Sequence, residues 1–264
     1  MPDTRIEIVD THVHAEPWFL TRDAKTPAPG TFDHLFDGCR HRTRLVVSST
    51  GRNQVLVERG NVVDVKLLAR LIGPFPDKFV GAVMVDPHDI DDALEAIDLG
   101  ITKLGFRMIG ELVQYIHNWR TDGPMILPVV QRAIELDVPM DFHSSSEDHA
   151  EGVARLAEKF PRAKFIIAHA SGGRAWRRGL EQVKHLPNVW VEVMDGAQPR
   201  ELEGVLAAVG PARMTYGTDF GIHAGPELRY EHGNHLLDKL AGLKVKEGDI
   251  ERICSGNARQ LLRL

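Results

Sequence analysis

Cysteine is nearly absent from this chain, with only Cys39 and Cys254 in 264 residues. Two distant cysteines with no paired spacing exclude a disulfide framework and a cysteine-rich zinc site, and they point to a reducing compartment. No segment approaches the roughly 20 consecutive apolar residues of a membrane span, and no apolar stretch of signal-peptide length follows Met1-Pro2-Asp3-Thr4-Arg5-Ile6-Glu7. A cytoplasmic protein with no membrane partner is therefore expected. Nor is there a surplus of positive charge. A net charge of −5 disfavours the nucleic-acid backbone as a partner, because that role needs a basic face.

What is present is the balance of an ordinary globular protein, with 43% hydrophobic and 26% charged residues. The length suits one large α/β barrel. Short β-branched runs alternate with amphipathic stretches, the pattern of βα units on a parallel sheet. Eight strands are expected: Ile6–Asp10, Arg44–Ser48, Phe79–Val85, Ile101–Met108, Val138–His143, Lys164–His169, Val189–Met194 and Met214–Asp219. Helices are expected over Asn61–Ile72, Ile90–Leu99, Pro124–Leu136, Ala150–Phe160, Gly173–His185 and Arg200–Ala208. No repeat, low-complexity tract or linker divides the chain. The fold class that follows is α/β, a single-domain (β/α)8 TIM barrel over residues 1–264, with a doubly wound open sheet as the alternative. The proline-bearing stretch Trp18 to Arg44 is long enough for a lid or binding loop.

Polar residues terminate these strands. The first runs into Val9-Asp10-Thr11-His12-Val13-His14, and in an extended segment residues i and i+2 share a side, so two imidazoles can face one point. His143, His169 and Asp219 end later strands, and in a barrel the C-terminal strand ends converge on the catalytic face. Together they make a credible site for a divalent metal. Each also has a plainer reading. His-x-His pairs are often structural, His143 sits beside Ser144, Ser145 and Ser146 as a loop residue would, His169 could satisfy a carbonyl, and Asp219 could cap a helix. Coincidence at four separate strand ends is harder to sustain.

These motifs, with Asp141-Phe142-His143, Ile167-Ala168-His169-Ala170-Ser171-Gly172-Gly173, Tyr216-Gly217-Thr218-Asp219 and Ser255-Gly256-Asn257-Ala258-Arg259-Gln260-Leu261, resemble the amidohydrolase-2 branch of the amidohydrolase superfamily over nearly the whole chain. The resemblance implies His12, His14, His143 and Asp219 as metal ligands, and His169 as an acid/base group or as a ligand of a second metal. Binuclear members bridge their metals with a carboxylated lysine or a glutamate at the end of strand four. Here Lys103 lies about 13 Å short of that rim at ordinary strand rise. Glu111 falls beyond the expected strand end and stays open as a bridging candidate. One divalent ion is expected, Zn2+ first, with Mn2+ or Fe2+ suiting the same donors. Without a glutamate on the expected strand four, a TatD-like nuclease is also disfavoured.

Arg107, near the end of the expected strand four, is a candidate to hold a substrate carboxylate bidentately, with a loop-supporting salt bridge as its alternative. His223 and Trp18 are further pocket candidates, and His88 and Glu16 stand close behind them. The Arg174–Arg178 stretch reads as a solvated helix face. The expected activity, with Asp219 and His169 as catalytic groups, is hydrolysis of an amide, ester or lactone in a small molecule, which could be a carboxylate. The alternative is non-oxidative decarboxylation of an aromatic or muconate-type acid, and a non-catalytic metal-binding barrel stands third. A homodimer is the default expectation for assembly.

Overall fold

The computed structural model describes residues 6–15, 26–50, 60–169, 174–222, 229–230 and 234–264, with backbone alone at 147, 174–177 and 234. Eight parallel strands close into a barrel: β1 (Ile8–Ala15), β2 (Thr43–Ser49), β3 (Phe79–Val83), β4 (Met108–Leu112), β5 (Pro139–Phe142), β6 (Lys164–Ile167), β7 (Val189–Met194) and β8 (Met214–Gly217). β1 pairs with both β8 and β2, which closes the ring. A three-residue β9 (Phe220–Ile222) continues β8 after a break and pairs with the end of β1. The chain is a single (β/α)8 TIM barrel.

The connecting helices are α1 (Asn61–Ile72), α2 (Ile90–Asp98), α3 (Leu127–Leu136), α4 (Glu147–Lys159), α5 (Arg174–Val183) and α6 (Pro199–Val209). α7 (Asn234–Gly242), α8 (Glu247–Glu251) and α9 (Asn257–Leu262) follow the last strand. Local chemistry sets their starts. Asp89 caps α2 by accepting from the Asp92 amide, and Ser146 caps α4 by accepting from that of His149. Gln198 and Glu201 form a reciprocal capping box on α6, with Pro199 at its tolerated first-turn position.

Strand residues alternate between two apolar layers. In β6, Phe165 and Ile167 join the outer core under the helices, while Ile166 joins Val9, Val46, Val80, Ala82 and Met108 inside the barrel. Ala258, Leu261 and Leu262 of α9 pack on that inner cluster. Higher in the barrel the interior turns polar, with Asp10, Thr11, His12, His14, Ser48, Glu111, Asp141, Glu192 and Thr215 all buried.

Strand four departs from expectation. Residues 101–108 are not a strand, because α2 runs on into a wide helical turn over Leu99–Lys103, where the Thr102 hydroxyl donates 2.6 Å to the Asp98 carbonyl. Gly105, at φ +76°, releases the chain, and the Phe106 ring fills the space a side chain at Gly81 would need. The strand therefore starts at Met108. The shift carries Arg107 to the N-terminal end of β4 and Glu111 into its last turn of register. Part of the long first loop is also better placed. Phe32 and Leu35 are buried, and the Phe32 ring meets Phe75 and Phe79 edge-on at 5.1 Å each.

Candidate metal centre

β1 carries His12 and His14 on its inner face. The strand shifts register against β2 between Asp10 and Val13, yet both imidazoles still reach one point: their Nε2 atoms lie 3.1 Å apart. What fixes the rings is the hydrogen bonding of the other nitrogens. His14 Nδ1 lies 3.0 Å from the Ser49 carbonyl, which only accepts, so Nδ1 carries the hydrogen. His12 Nδ1 lies 3.0 Å from Glu192 Oε1. If both rings are neutral, the lone pairs then sit on Nε2 and face each other, an arrangement that a shared cation or a shared proton satisfies.

Carboxylates complete the ring around that point. Asp219 Oδ1 is 3.1 Å from His14 Nε2 and 3.7 Å from His12 Nε2, and Glu111 Oε2 is 3.4 and 3.5 Å from the same atoms. Ligand atoms around an ion with bonds of about 2.1 Å stand roughly 3.0–3.4 Å from one another, and these separations of 3.1–3.7 Å lie close to that spacing, so the set could hold a divalent ion. Glu111 Oε1 points the other way, 2.8 Å from His143 Nδ1 and 3.1 Å from His169 Nε2. His143 thus gathers with Glu111 and His169, while His12, His14 and Asp219 form their own group.

Two of the candidate residues sit on left-handed backbone at strand ends. Asp219 has φ +56° and its amide bonds the His12 carbonyl at 2.9 Å, and His169 has φ +60° with its amide 3.4 Å from Glu192 Oε1. Such conformations are uncommon outside glycine and gather at functional sites.

The electrostatics point the same way. Burial opposes charge on His12, but Glu192 and Glu111 outweigh it and push its pKa well above the usual histidine range. For His14, burial is likewise outweighed by hydrogen bonds to Asp219 and Glu111, which raise its pKa to about 9. Glu111 is held well below the carboxylate range despite its burial, chiefly by the charge of His12 and by hydrogen bonds from His12, His14 and His143. Asp219 is lowered too, its burial overcome by His14 and the other rings. Asp141 behaves oppositely. It is wholly buried, neither oxygen accepts a hydrogen bond among the described residues, and desolvation followed by repulsion from Glu192 drives its pKa well up. The imidazoles of His12 and His14 and the carboxylates of Glu111 and Asp219 thus favour one another's charged forms.

Arg107 does not belong to the centre. It lines a cavity of about 470 Å³ with Arg44, Gly81, Lys103 and Leu264 beside the N-terminal ends of β2 and β3, and its exposed side chain cannot reach the site. The cause is the displaced strand. His88 is half-exposed and pairs with Asp86 at 2.7 Å. Trp18, Glu16 and His223 lie outside the described residues. Glu192 and Asp141 were not singled out as functional beforehand, although an acid inside an apolar strand such as Val189-Trp190-Val191-Glu192-Val193-Met194 is itself a signal.

Residues 9–264 match the amidohydrolase family, and the chain belongs to it. No curated protein sequence matches. Among solved structures the chain is similar to 5-carboxyvanillate decarboxylase from Sphingomonas paucimobilis (TM-score 0.70, 13% identity, covering 98% of this chain and 99% of that one). It is also similar to a dihydroxybenzoic acid decarboxylase from Polaromonas with bound manganese and the inhibitor 2-nitroresorcinol (TM-score 0.67, 15% identity, 98% and 97%). A third is 4-oxalomesaconate hydratase from Rhodopseudomonas palustris (TM-score 0.64, 15% identity, 97% and 95%). At these identities the likeness is one of fold. Among the described residues no helix is long and apolar enough to cross a membrane.

Proposed function

We propose that the chain is a metal-dependent hydrolase that cleaves an amide, ester or lactone bond in a small molecule. The observation that carries this reading is the pair of buried Nε2 atoms of His12 and His14, 3.1 Å apart and closed in by Asp219 and Glu111. These residues would hold a divalent ion, Zn2+ first and Mn2+ or Fe2+ next, since nitrogen and oxygen donors without thiolate suit all three. Such an ion supplies a nucleophilic water near neutral pH and polarises a carbonyl. Asp219 is placed to handle the proton. Its side chain is 47% exposed, so the carboxylate touches the ligand ring on one side and the mouth on the other. It stays ionised, accepts the proton of the attacking water and returns it to the leaving group. His169, beside Glu111, stabilises developing charge or acts as the acid.

The second reading, decarboxylation of an aromatic or muconate-type acid, draws support from the decarboxylases among the structural neighbours. The position of Arg107 weighs on both readings alike, since either substrate could carry the carboxylate it was expected to hold. One assay separates the two. Protein loaded with Zn2+ or Mn2+ is offered a panel of lactones, esters, amides and aromatic acids, and acid release and carbon dioxide release are followed together. The hydrolase reading expects metal-dependent acid release that falls at least ~100-fold in Asp219→Asn. Carbon dioxide release alone would overturn it in favour of the lyase.

A further inference from the structure

At the end of the barrel opposite the candidate metal centre, the displaced strand four borders a second cavity. It holds about 470 Å³ between the starts of β2 and β3 and the link from α2 to β4, within the usual size of a small-molecule pocket. Arg44, Lys103 and Arg107 line it, and no acidic side chain does. Most of the remaining wall is apolar, including the rings of Phe79 and Phe106. We propose that this cavity binds a small organic anion, a carboxylate or phosphate head on an apolar body, with Lys103 and Arg107 holding the head. The proposal stands apart from the metal-enzyme reading and uses none of its residues.

Charge, packing and backbone each point to that occupant. Arg44 is already committed, its Nε and Nη2 donating to Glu7 Oε1 at 3.2 and 3.0 Å. Lys103 and Arg107 are exposed and pair with no carboxylate among the described residues. Like charges around a concave wall focus a positive potential, here on a chain whose net charge is −5, and a bound anion offsets it. The Arg107 guanidinium presents a planar fork to two oxygens of one head group, and the Lys103 ammonium adds a point charge. The apolar wall is also left uncovered. Leu104, on the rim between the two cations, is 39% exposed, one of only two large hydrophobic residues so exposed among the described residues. An apolar ligand body would cover it. The backbone holds this rim in place. The wide helical turn runs through Lys103, Gly105 turns the chain at φ +76°, and the Arg107 amide donates to the Gly81 carbonyl at 2.9 Å. A Cβ at Gly105 would meet nothing within 4 Å, so the rim is open at that point.

Titration calorimetry of the whole chain with benzoate and with phenyl phosphate tests this, the two probes telling a carboxylate head from a phosphate one. Inorganic phosphate serves as a head alone and benzyl alcohol as a body alone. His14→Ala is titrated in parallel, so that an anion held at the metal centre is told apart from one held in the cavity. At least one of the two organic anions is expected to bind at one equivalent in both proteins, about tenfold or more tighter than inorganic phosphate or benzyl alcohol. Lys103→Ala and Arg107→Ala, checked for folding by circular dichroism, should each weaken that binding about tenfold or more, the loss expected for a charged hydrogen-bonding partner. Unchanged affinity in the Lys103→Ala/Arg107→Ala double variant would overturn the site, as would loss of binding in His14→Ala or failure of both organic anions to bind the unaltered chain at millimolar concentration. Inorganic phosphate binding as tightly as the organic anions would overturn the apolar body, and benzyl alcohol binding as tightly would overturn the role of the two cations.

Discussion

At the scale of single residues, the proposed site depends on groups that hold its imidazoles in place. Glu192 holds His12 through Nδ1 and meets the Thr11 hydroxyl at 3.1 Å with its other oxygen. Loss of such a partner typically costs 10–100-fold in metal affinity. Glu192→Gln should therefore weaken Zn2+ binding by about that factor in a competitive chelator titration, and an unchanged affinity would show that Glu192 does not orient the ring. Asp10 makes a different prediction. It accepts from Thr218, Tyr230 and the His12 amide, yet complete burial outweighs these bonds and raises its pKa from 3.8 to about 6. A carboxyl whose folded pKa exceeds its unfolded one keeps its proton longer in the native state. Below pH 3.8 it has no effect, and stability falls as pH climbs to 6, by on the order of 3 kcal/mol. In chelator-treated protein, Asp10→Asn should thus gain thermal stability relative to the unaltered chain on going from pH 4 to pH 7. A difference between the two that is the same at both pH values would contradict this.

At the scale of elements, β1 and β8 were legible and β4 was not. The dipeptide alternation His12-x-His14 survives the register shift because the strand continues to Ala15, well past the expected end at Asp10. Asp219 sits where the end of strand eight was expected, although the strand proper stops at Gly217. Strand four failed for a physical reason: Ile101-Thr102 reads as a β-branched start, but helical hydrogen bonding from α2 captures it. That single displacement explains why Arg107 lies away from the centre and why Glu111, left open beyond the expected strand end, stands within it. Asp141 and Glu192 stayed hidden because alternation in a barrel tells which residues face inward, not how high in the barrel they lie. Gly217 shows how closely these elements are fitted. A Cβ there would come within 2.3 Å of the Glu192 carboxyl. Gly217→Ala should destabilise the protein by roughly 1–3 kcal/mol in denaturant unfolding and weaken metal binding with it, as expected when a packed interior is overfilled. Unchanged stability and affinity would mean that β7 and β8 move apart freely.

At the scale of the whole molecule, closure of the barrel brings acids from β1, β4, β5 and β7 into one enclosed polar layer above an apolar floor. Burying that much charge of one sign is costly unless cations balance it. The amidohydrolase fold of this chain is thus also a device for concentrating negative potential, and metal should stabilise it globally. An ion at 100 times its Kd contributes about 2.7 kcal/mol, or roughly 5–10 °C in the unfolding midpoint of a chain of this size. The central claim is the site founded on His12 and His14, and metal analysis of His14→Ala and Asp219→Asn beside the unaltered chain tests it most directly. The account predicts tightly bound divalent metal in the unaltered protein and a sharp loss in both folded variants. Undiminished metal content in both would contradict it.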